Sequence, residues 1–250
     1  MSLPLVVALH GSSGHGADFL WNWLKEARSR GFLLLCPTSS EQTWSLENVW
    51  EDLFKILTAI DNLSGIIDRA LRNKIPMIAL FPNTSNHQRD NDGSEALNEN
   101  NLVCRAIKLI KKKYNKFGVM TDVALDPYTS HGHDGIILNG KIDNDETLKI
   151  LEKQALLQAS VGSDVIAPSD MMDGRIGVIR KCLDKKKLKD TQILSYAVKY
   201  ASSFYGPFRD AIGSKQKLKG DKKTYQMDMR NYTESLSCLL YTSDAADEED

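Results

Sequence analysis

The sequence predicts an α/β fold built on parallel strands, and three observations carry that expectation. From residue 63 onward, short apolar runs alternate with longer stretches of helical period, the pattern of repeated strand-helix units. Three of the apolar runs, Val119–Leu125, Val165–Ala167 and Gln192–Tyr196, empty into loops rich in carboxylates, hydroxyls, imidazoles or amines. At 250 residues with 42% hydrophobic content, the chain can build the core of one α/β barrel or of two modest domains.

Taken in order, the first element is the strand-like run Leu3–Leu9, which ends in His10-Gly-Ser-Ser-Gly14. A helix-like stretch from Trp21 to Arg28 and a second apolar strand, Phe32–Cys36, follow. This short β-α-β segment, residues 1–57, resembles the opening of an α/β-hydrolase, in which a His-Gly turn supplies backbone N–H groups to an oxyanion hole. A G-x-S-x-G nucleophile elbow is absent downstream, so His10 and Gly11 are expected to be turn residues. Pro76–Phe81 reads as a strand and Leu97–Lys113 as a helix with Leu102, Ala106, Ile107 and Ile110 on one face. Lys111, Lys112 and Lys113 complement the negative end of that helix, and Gly118 is expected to stop it. Val119–Leu125 is the next strand. Asp143 and Asn144 can cap a helix whose buried stripe is Leu148, Leu151, Ala155 and Ala159. A strand at Val165–Ala167, a helix near Gly174–Leu183 and a strand at Gln192–Tyr196 continue the alternation. Residues 235–250, which end in an acidic run, show no apolar periodicity and are expected to be disordered.

Composition excludes several classes. A formal net charge of −1 gives no electrostatic footprint for nucleic acid or an anionic membrane. Cys36, Cys104, Cys182 and Cys238 form no C-x-x-C pair, so neither a disulfide framework nor a thiolate zinc site is expected. No apolar run reaches membrane-spanning length, and the Met1 region carries no secretory signal pattern.

Lys199 is the residue with the clearest chemical signature. It lies in Ser195-Tyr-Ala-Val-Lys-Tyr-Ala-Ser-Ser-Phe-Tyr-Gly-Pro-Phe-Arg209, among aromatic and small side chains just after a strand-like stretch. Burial disfavours the charged form of an amine, and a nearby cation such as Arg209 acts in the same direction, so this lysine is a candidate to attack a ketone near neutral pH. The ordinary alternative is a lysine snorkelling from a strand end. Two further loops carry chemistry, Asp122-Val-Ala-Leu-Asp-Pro-Tyr-Thr-Ser-His-Gly-His-Asp-Gly135 and Asp164-Val-Ile-Ala-Pro-Ser-Asp-Met-Met-Asp-Gly-Arg175. These three motifs, in this order, closely resemble the porphobilinogen synthase (5-aminolevulinate dehydratase) family from about Leu63 to Glu234. The resemblance implies a (β/α)8 TIM barrel, here incomplete, whose active site lies at the C-terminal ends of the strands.

It also implies the condensation of two 5-aminolevulinate molecules into porphobilinogen, a step of tetrapyrrole synthesis, through lysine Schiff bases. Lys199 matches the first of the family's two catalytic lysines. The second belongs to a Val-Lys-Pro-Gly type motif that has no counterpart here, which leaves the activity of this chain open. By the resemblance, Arg209, Lys222 and Gln226 hold substrate, with Lys222 where arginine is commoner; Asp122 and Ser169 line the site near the reacting amines, and Tyr205 and Phe208 wall it. Zinc-type members have three cysteines where this chain has Ala124, Asp126 and Asp134. Oxygen ligands at Asp126 and Asp134 favour magnesium over zinc. Glu234 matches a carboxylate that holds an allosteric magnesium in magnesium-type members, while His131 and His133 are expected to be structural or hydrogen-bonding. Family members assemble into homo-oligomers, mostly octamers. A bacterial cytoplasm is the expected compartment, with a plastid as the alternative.

The expected organisation is therefore a hydrolase-like segment at 1–57, a partial synthase barrel at 58–234 and an acidic tail at 235–250. The mixture suggests a chimeric reading frame with an artefactual tail. A serine hydrolase or esterase fragment and a noncatalytic barrel fragment are the competing readings. The first rests on residues 3–50 alone.

Overall fold

The computed structural model describes residues 5–7, 33–35, 63–202 and 221–247, with side chains described for 63–202 and 221–240. The chain divides into two compact units, Met1–Ala79 and Leu80–Asp250. In the first, strands β1 (Leu5–Val7) and β2 (Leu33–Leu35) pair in parallel, with Leu5 opposite Leu33. Helix α1 (Leu63–Arg72) buries Leu63, Ile67 and Ala70, an i, i+4, i+7 stripe, and ends with Arg69 and Arg72 near its negative pole. Strand β3 (Met77–Leu80) crosses the division. The helix and the His10-Gly11 turn of the hydrolase-like segment lie outside the described residues.

The second unit carries the expected alternation. Helix α2 (Leu102–Lys113) begins five residues later than the apolar pattern suggests, because the Asn101 side chain accepts from the Cys104 N–H at 2.8 Å and fixes the first turn there. Residues Ser94–Leu97 form a separate 3₁₀ turn. Gly118 opens the next strand instead of stopping the helix, which closes at Tyr114. Strand β4 (Gly118–Val123), β7 (Val165–Pro168) and β8 (Gln192–Ile193) run in parallel as neighbours, with Asp122 opposite Ala167 and Ile166 opposite Ile193. Between β4 and β7 stands a hairpin that the alternation does not announce, β5 (Ile136–Leu138) and β6 (Lys141–Asp143). Its two-residue turn is Asn139-Gly140, both at positive φ of 50° and 76°, which glycine tolerates freely and asparagine better than most residues.

Helix α3 (Asn144–Val161) starts where Asp143 accepts from the Glu146 N–H at 2.9 Å, and Asp145 and Glu146 favour its positive end. It buries Leu151, Ala155 and Ala159 against the sheet, with Leu148 only partly covered. Helix α4 (Arg175–Lys185) packs beside it and contributes Ile179 and Leu183 to a core shared with Val123, Leu125, Tyr128 and Ile166. These parallel strands with helical crossovers form the α/β architecture expected, and among the described residues the barrel is not closed.

The tail departs from expectation. Residues Tyr232–Asp247 form helix α5 instead of a disordered segment. Asn231 caps it, accepting from the Glu234 N–H at 3.1 Å and donating to the Glu234 carboxylate at 3.0 Å, and α5 packs on α4. No described helix is long and apolar enough to cross a membrane.

One contact gives a stability test. A Cβ on Gly135 would lie 2.7 Å from Thr147 Oγ1 and 3.1 Å from Ile142 Cγ2. Thr147 Oγ1 already accepts from the Ile136 N–H and donates to the Asp143 carbonyl, so it cannot retreat without losing both. Gly135→Ala is expected to lower stability by about 1–3 kcal/mol, read by chemical denaturation.

Candidate active site

The ends of β4 and β7 and the segment after β8 bring the candidate residues together. Asp122 sits one residue before the end of β4, and Ser169 follows β7, its N–H donating to the Val123 carbonyl at 3.1 Å. Lys199 follows β8 by six residues and is only 6% exposed. Its Nζ donates to the Ser169 carbonyl oxygen at 2.6 Å. The Lys199 backbone carbonyl accepts from the Met227 N–H at 3.0 Å, and the Ala201 N–H donates to Met227 at 2.9 Å, which joins the Lys199 segment to the one that carries Lys222 and Gln226.

Burial pushes the Asp122 carboxyl up to about 7, and the negative charges of Asp126 and Asp134 act the same way. A hydrogen bond from the Ser169 side chain and the Lys199 charge partly offset the rise. Asp122 Oδ1 has no hydrogen-bond partner although it is buried. The wall behind the strand is unusually polar. Gln154 and Gln158, both fully buried on α3, donate their side-chain amides to the carbonyls of Ala124 at 3.3 Å and Asp122 at 3.1 Å.

Lys222 lies between the two aspartates. Its Nζ donates to Asp126 Oδ2 at 3.0 Å and forms an ion pair with Asp134 Oδ2 at 2.9 Å, all three side chains being 5% exposed or less. Burial alone would lower the Lys222 pKa, but Asp126 and Asp134 outweigh it and raise the value. Lys222 is therefore a fixed cation buried in the site, not a member of an exposed basic loop. Burial and the Asp134 charge raise Asp126, while Lys222 and Lys199 overcome burial to hold Asp134 low. Arg89 Nη1 donates to the Asp126 carbonyl at 3.2 Å and Nε to the Thr84 carbonyl at 2.9 Å, a buried cation that the sequence motifs do not single out.

The imidazoles have the hydrogen-bonding places expected of them. His131 Nε2 lies 3.2 Å from the Asn91 carbonyl, and its Nδ1 accepts from the His133 N–H at 3.2 Å. His133 Nδ1 and the Tyr225 hydroxyl are 3.0 Å apart, and the same hydroxyl accepts from the Asp134 N–H at 3.4 Å. Gln226 is buried nearby, its N–H donating to the Lys222 carbonyl at 2.9 Å. Glu234 is exposed on the first turn of α5, where its carboxylate accepts from the Asn231 side chain. Tyr205, Phe208 and Arg209 lie outside the described residues.

A metal does not fit between Asp126 and Asp134 as they stand, since one ammonium already occupies the space between the two carboxylates. Among the described residues no group of three histidine, cysteine, aspartate or glutamate side chains could hold an ion. The site's chemistry is that of a buried primary amine beside a carboxyl group that exchanges protons near neutrality.

Comparison with known proteins agrees with the motif reading. A family model described as delta-aminolevulinic acid dehydratase matches residues 40–248. The delta-aminolevulinic acid dehydratase of Bradyrhizobium diazoefficiens is 58% identical over 178 residues, covering 71% of this chain and 50% of the relative. The chloroplastic enzyme of Oryza sativa subsp. japonica is 51% identical, covering 69% of this chain and 41% of the relative. Among solved structures, the dehydratase (porphobilinogen synthase) of Toxoplasma gondii ME49, in complex with the reaction product porphobilinogen, aligns with a TM-score of 0.72 at 42% identity. It covers 74% of this chain and 53% of that one. The chain thus spans about half the length of the relatives it matches. The hydrolase resemblance of residues 1–57 finds no support here, and the family match itself begins at residue 40 and runs into the acidic tail. From residue 40 to residue 248, across every described element of the Lys199 site, the chain belongs to the delta-aminolevulinic acid dehydratase family.

Proposed function

We propose that this chain forms a Schiff base between Lys199 and 5-aminolevulinate, as part of the condensation of two such molecules to porphobilinogen. The observation that carries the reading is the Lys199 amine held on the Ser169 carbonyl, in electrostatic contact with an Asp122 carboxyl that titrates near neutrality. The amine adds to the substrate ketone carbon and gives up a proton, and the resulting carbinolamine loses its hydroxyl as water once that oxygen is protonated. A carboxyl with a pKa of about 7 holds that proton and releases it at the same pH, which suits Asp122 to both transfers. Lys222, held as a cation by Asp126 and Asp134, is suited to a substrate carboxylate and not to nucleophilic attack. Gln226 and Ser169 contribute hydrogen bonds. Arg209, Tyr205 and Phe208 complete the substrate contacts in this reading.

The magnesium that the resemblance implies has its candidate ligand at Glu234, exposed on the first turn of α5, and no step at Lys199 is routed through it. The same reading has the chain associate with further copies of itself. Its compartment is a bacterial cytoplasm or a plastid, in line with one relative from a bacterium and another named chloroplastic.

Four outcomes are expected. Borohydride reduction of the chain with 5-aminolevulinate gives a stable adduct on the Lys199 peptide, seen by mass spectrometry and lost in Lys199→Ala; soluble, folded chain without that adduct overturns the reading. Asp122→Asn slows this trapping by about 100-fold or more. In stability, the raised folded-state pKa of Asp122 means the native state binds the proton more tightly than the unfolded chain, so its contribution falls as pH rises from about 4 towards 7 and stays low above that. Asp122→Asn removes this penalty, and its Tm relative to the parent should rise between pH 4 and pH 8, with no gain at the acid end. Prior removal of divalent ions with a chelator leaves the yield of the Lys199 adduct unchanged, while a chelator-sensitive yield would place a metal in the first step.

A further inference from the structure

Arg175, the first residue of α4, is 4% exposed and has no place in the reaction as described above. Its guanidinium reaches several separate stretches of chain. Nη1 donates to the Met172 carbonyl at 3.1 Å, Nη2 donates to the Tyr196 carbonyl, and Nε lies 3.5 Å from Asp170 Oδ2. Asp170 is fully buried, and its other oxygen accepts from the Met172 N–H at 2.7 Å. Between them Met171 is held at a φ of 69°, a left-handed conformation that a non-glycine residue keeps only where its surroundings impose it.

These contacts close a ring. Tyr196 stands three residues before Lys199; Lys199 Nζ donates to the Ser169 carbonyl; Ser169 is joined to Asp170, which faces Arg175, and Arg175 returns to Tyr196. Both arms that carry the reactive amine, the backbone before it and the carbonyl that receives it, are thus tied to one guanidinium. A planar fork with several donors can reach acceptors on both arms at once, which a lysine ammonium at the end of a flexible stem does less well. At 3.5 Å the approach of Arg175 Nε to Asp170 is an ion pair without a hydrogen bond, so the carboxylate fixes the guanidinium by charge while the backbone carbonyls set its orientation.

We infer that Arg175, locked by Asp170, is the positioning residue that sets where the Lys199 amine stands, an inference that rests on the Schiff-base reading for its catalytic meaning. Two measurements on Arg175→Met test it. In the first, the maximal rate of borohydride trapping with 5-aminolevulinate falls by about 10–100-fold while the half-saturating concentration changes little, as misplacement of a bound nucleophile requires. In the second, which needs no substrate, labelling of Lys199 by acetic anhydride relative to the exposed Lys149 rises severalfold, because the amine is no longer held on the Ser169 carbonyl. Where Arg175→Met does not fold, the near-isosteric Asp170→Asn decides, with smaller changes in the same directions. Unchanged relative labelling in a folded variant overturns the inference. Should the parent chain itself give no trapped adduct, the Schiff-base reading fails on its own and the labelling ratio still decides whether the clamp exists.

Discussion

The parallel register of β4, β7 and β8 is the constraint on which the site depends. Asp122 opposite Ala167, and Ile166 opposite Ile193, leave the three strands ending at a common edge. The end of β4 and the chain that leaves β7 and β8 there carry Asp122, Ser169 and Lys199 in turn. Residues far apart in sequence become neighbours because parallel strands with helical crossovers must all emerge at one end. Ser169 makes the join visible, since its N–H continues the pairing with Val123 while its carbonyl receives the lysine. A shift of β7 by one residue would exchange its two buried faces and carry that carbonyl away from the amine.

Charge balance then decides what each group can do. Asp122, Asp126 and Asp134 are buried with Lys199 and Lys222, so carboxylates outnumber ammonium groups in the cluster. Lys222 is committed to Asp126 and Asp134, and burial lifts Asp122 to about 7, within reach of neutral pH. The two lysines share a neighbourhood and a similar burial and differ in their partners, the Ser169 carbonyl for Lys199 and two carboxylates for Lys222.

The sequence makes the strand ends legible because each motif is local: an apolar run followed at once by polar residues. Asp122, Ser169 and Lys199 come together at the ends of those runs. What lies outside the motifs is set by distant contacts. Nothing around Lys222 in sequence announces that its partners stand 96 and 88 residues earlier at Asp126 and Asp134, and Arg175 reads only as the start of a helix until Tyr196 is seen to receive its guanidinium. The hairpin at β5 and β6 did have a signal, Asn139-Gly140 between apolar residues. Helix α5 had one too, an asparagine three residues before a glutamate followed by Leu236, Leu239 and Leu240, which the acidic run beyond it obscured.

The opposite edge of the same strands is built differently. There Asp164, just ahead of β7, accepts from the Val119 N–H at 2.7 Å and from Lys111 Nζ at 2.5 Å, tying α2 to the start of β4 with side chains that are 20% and 45% exposed. Counterions reach that tie but are excluded from the buried charges at the Lys199 edge. Ionic strength therefore acts on the two edges separately. Salt in the surrounding solution can loosen the base of the sheet while the field around the Lys199 amine stays as the fold made it.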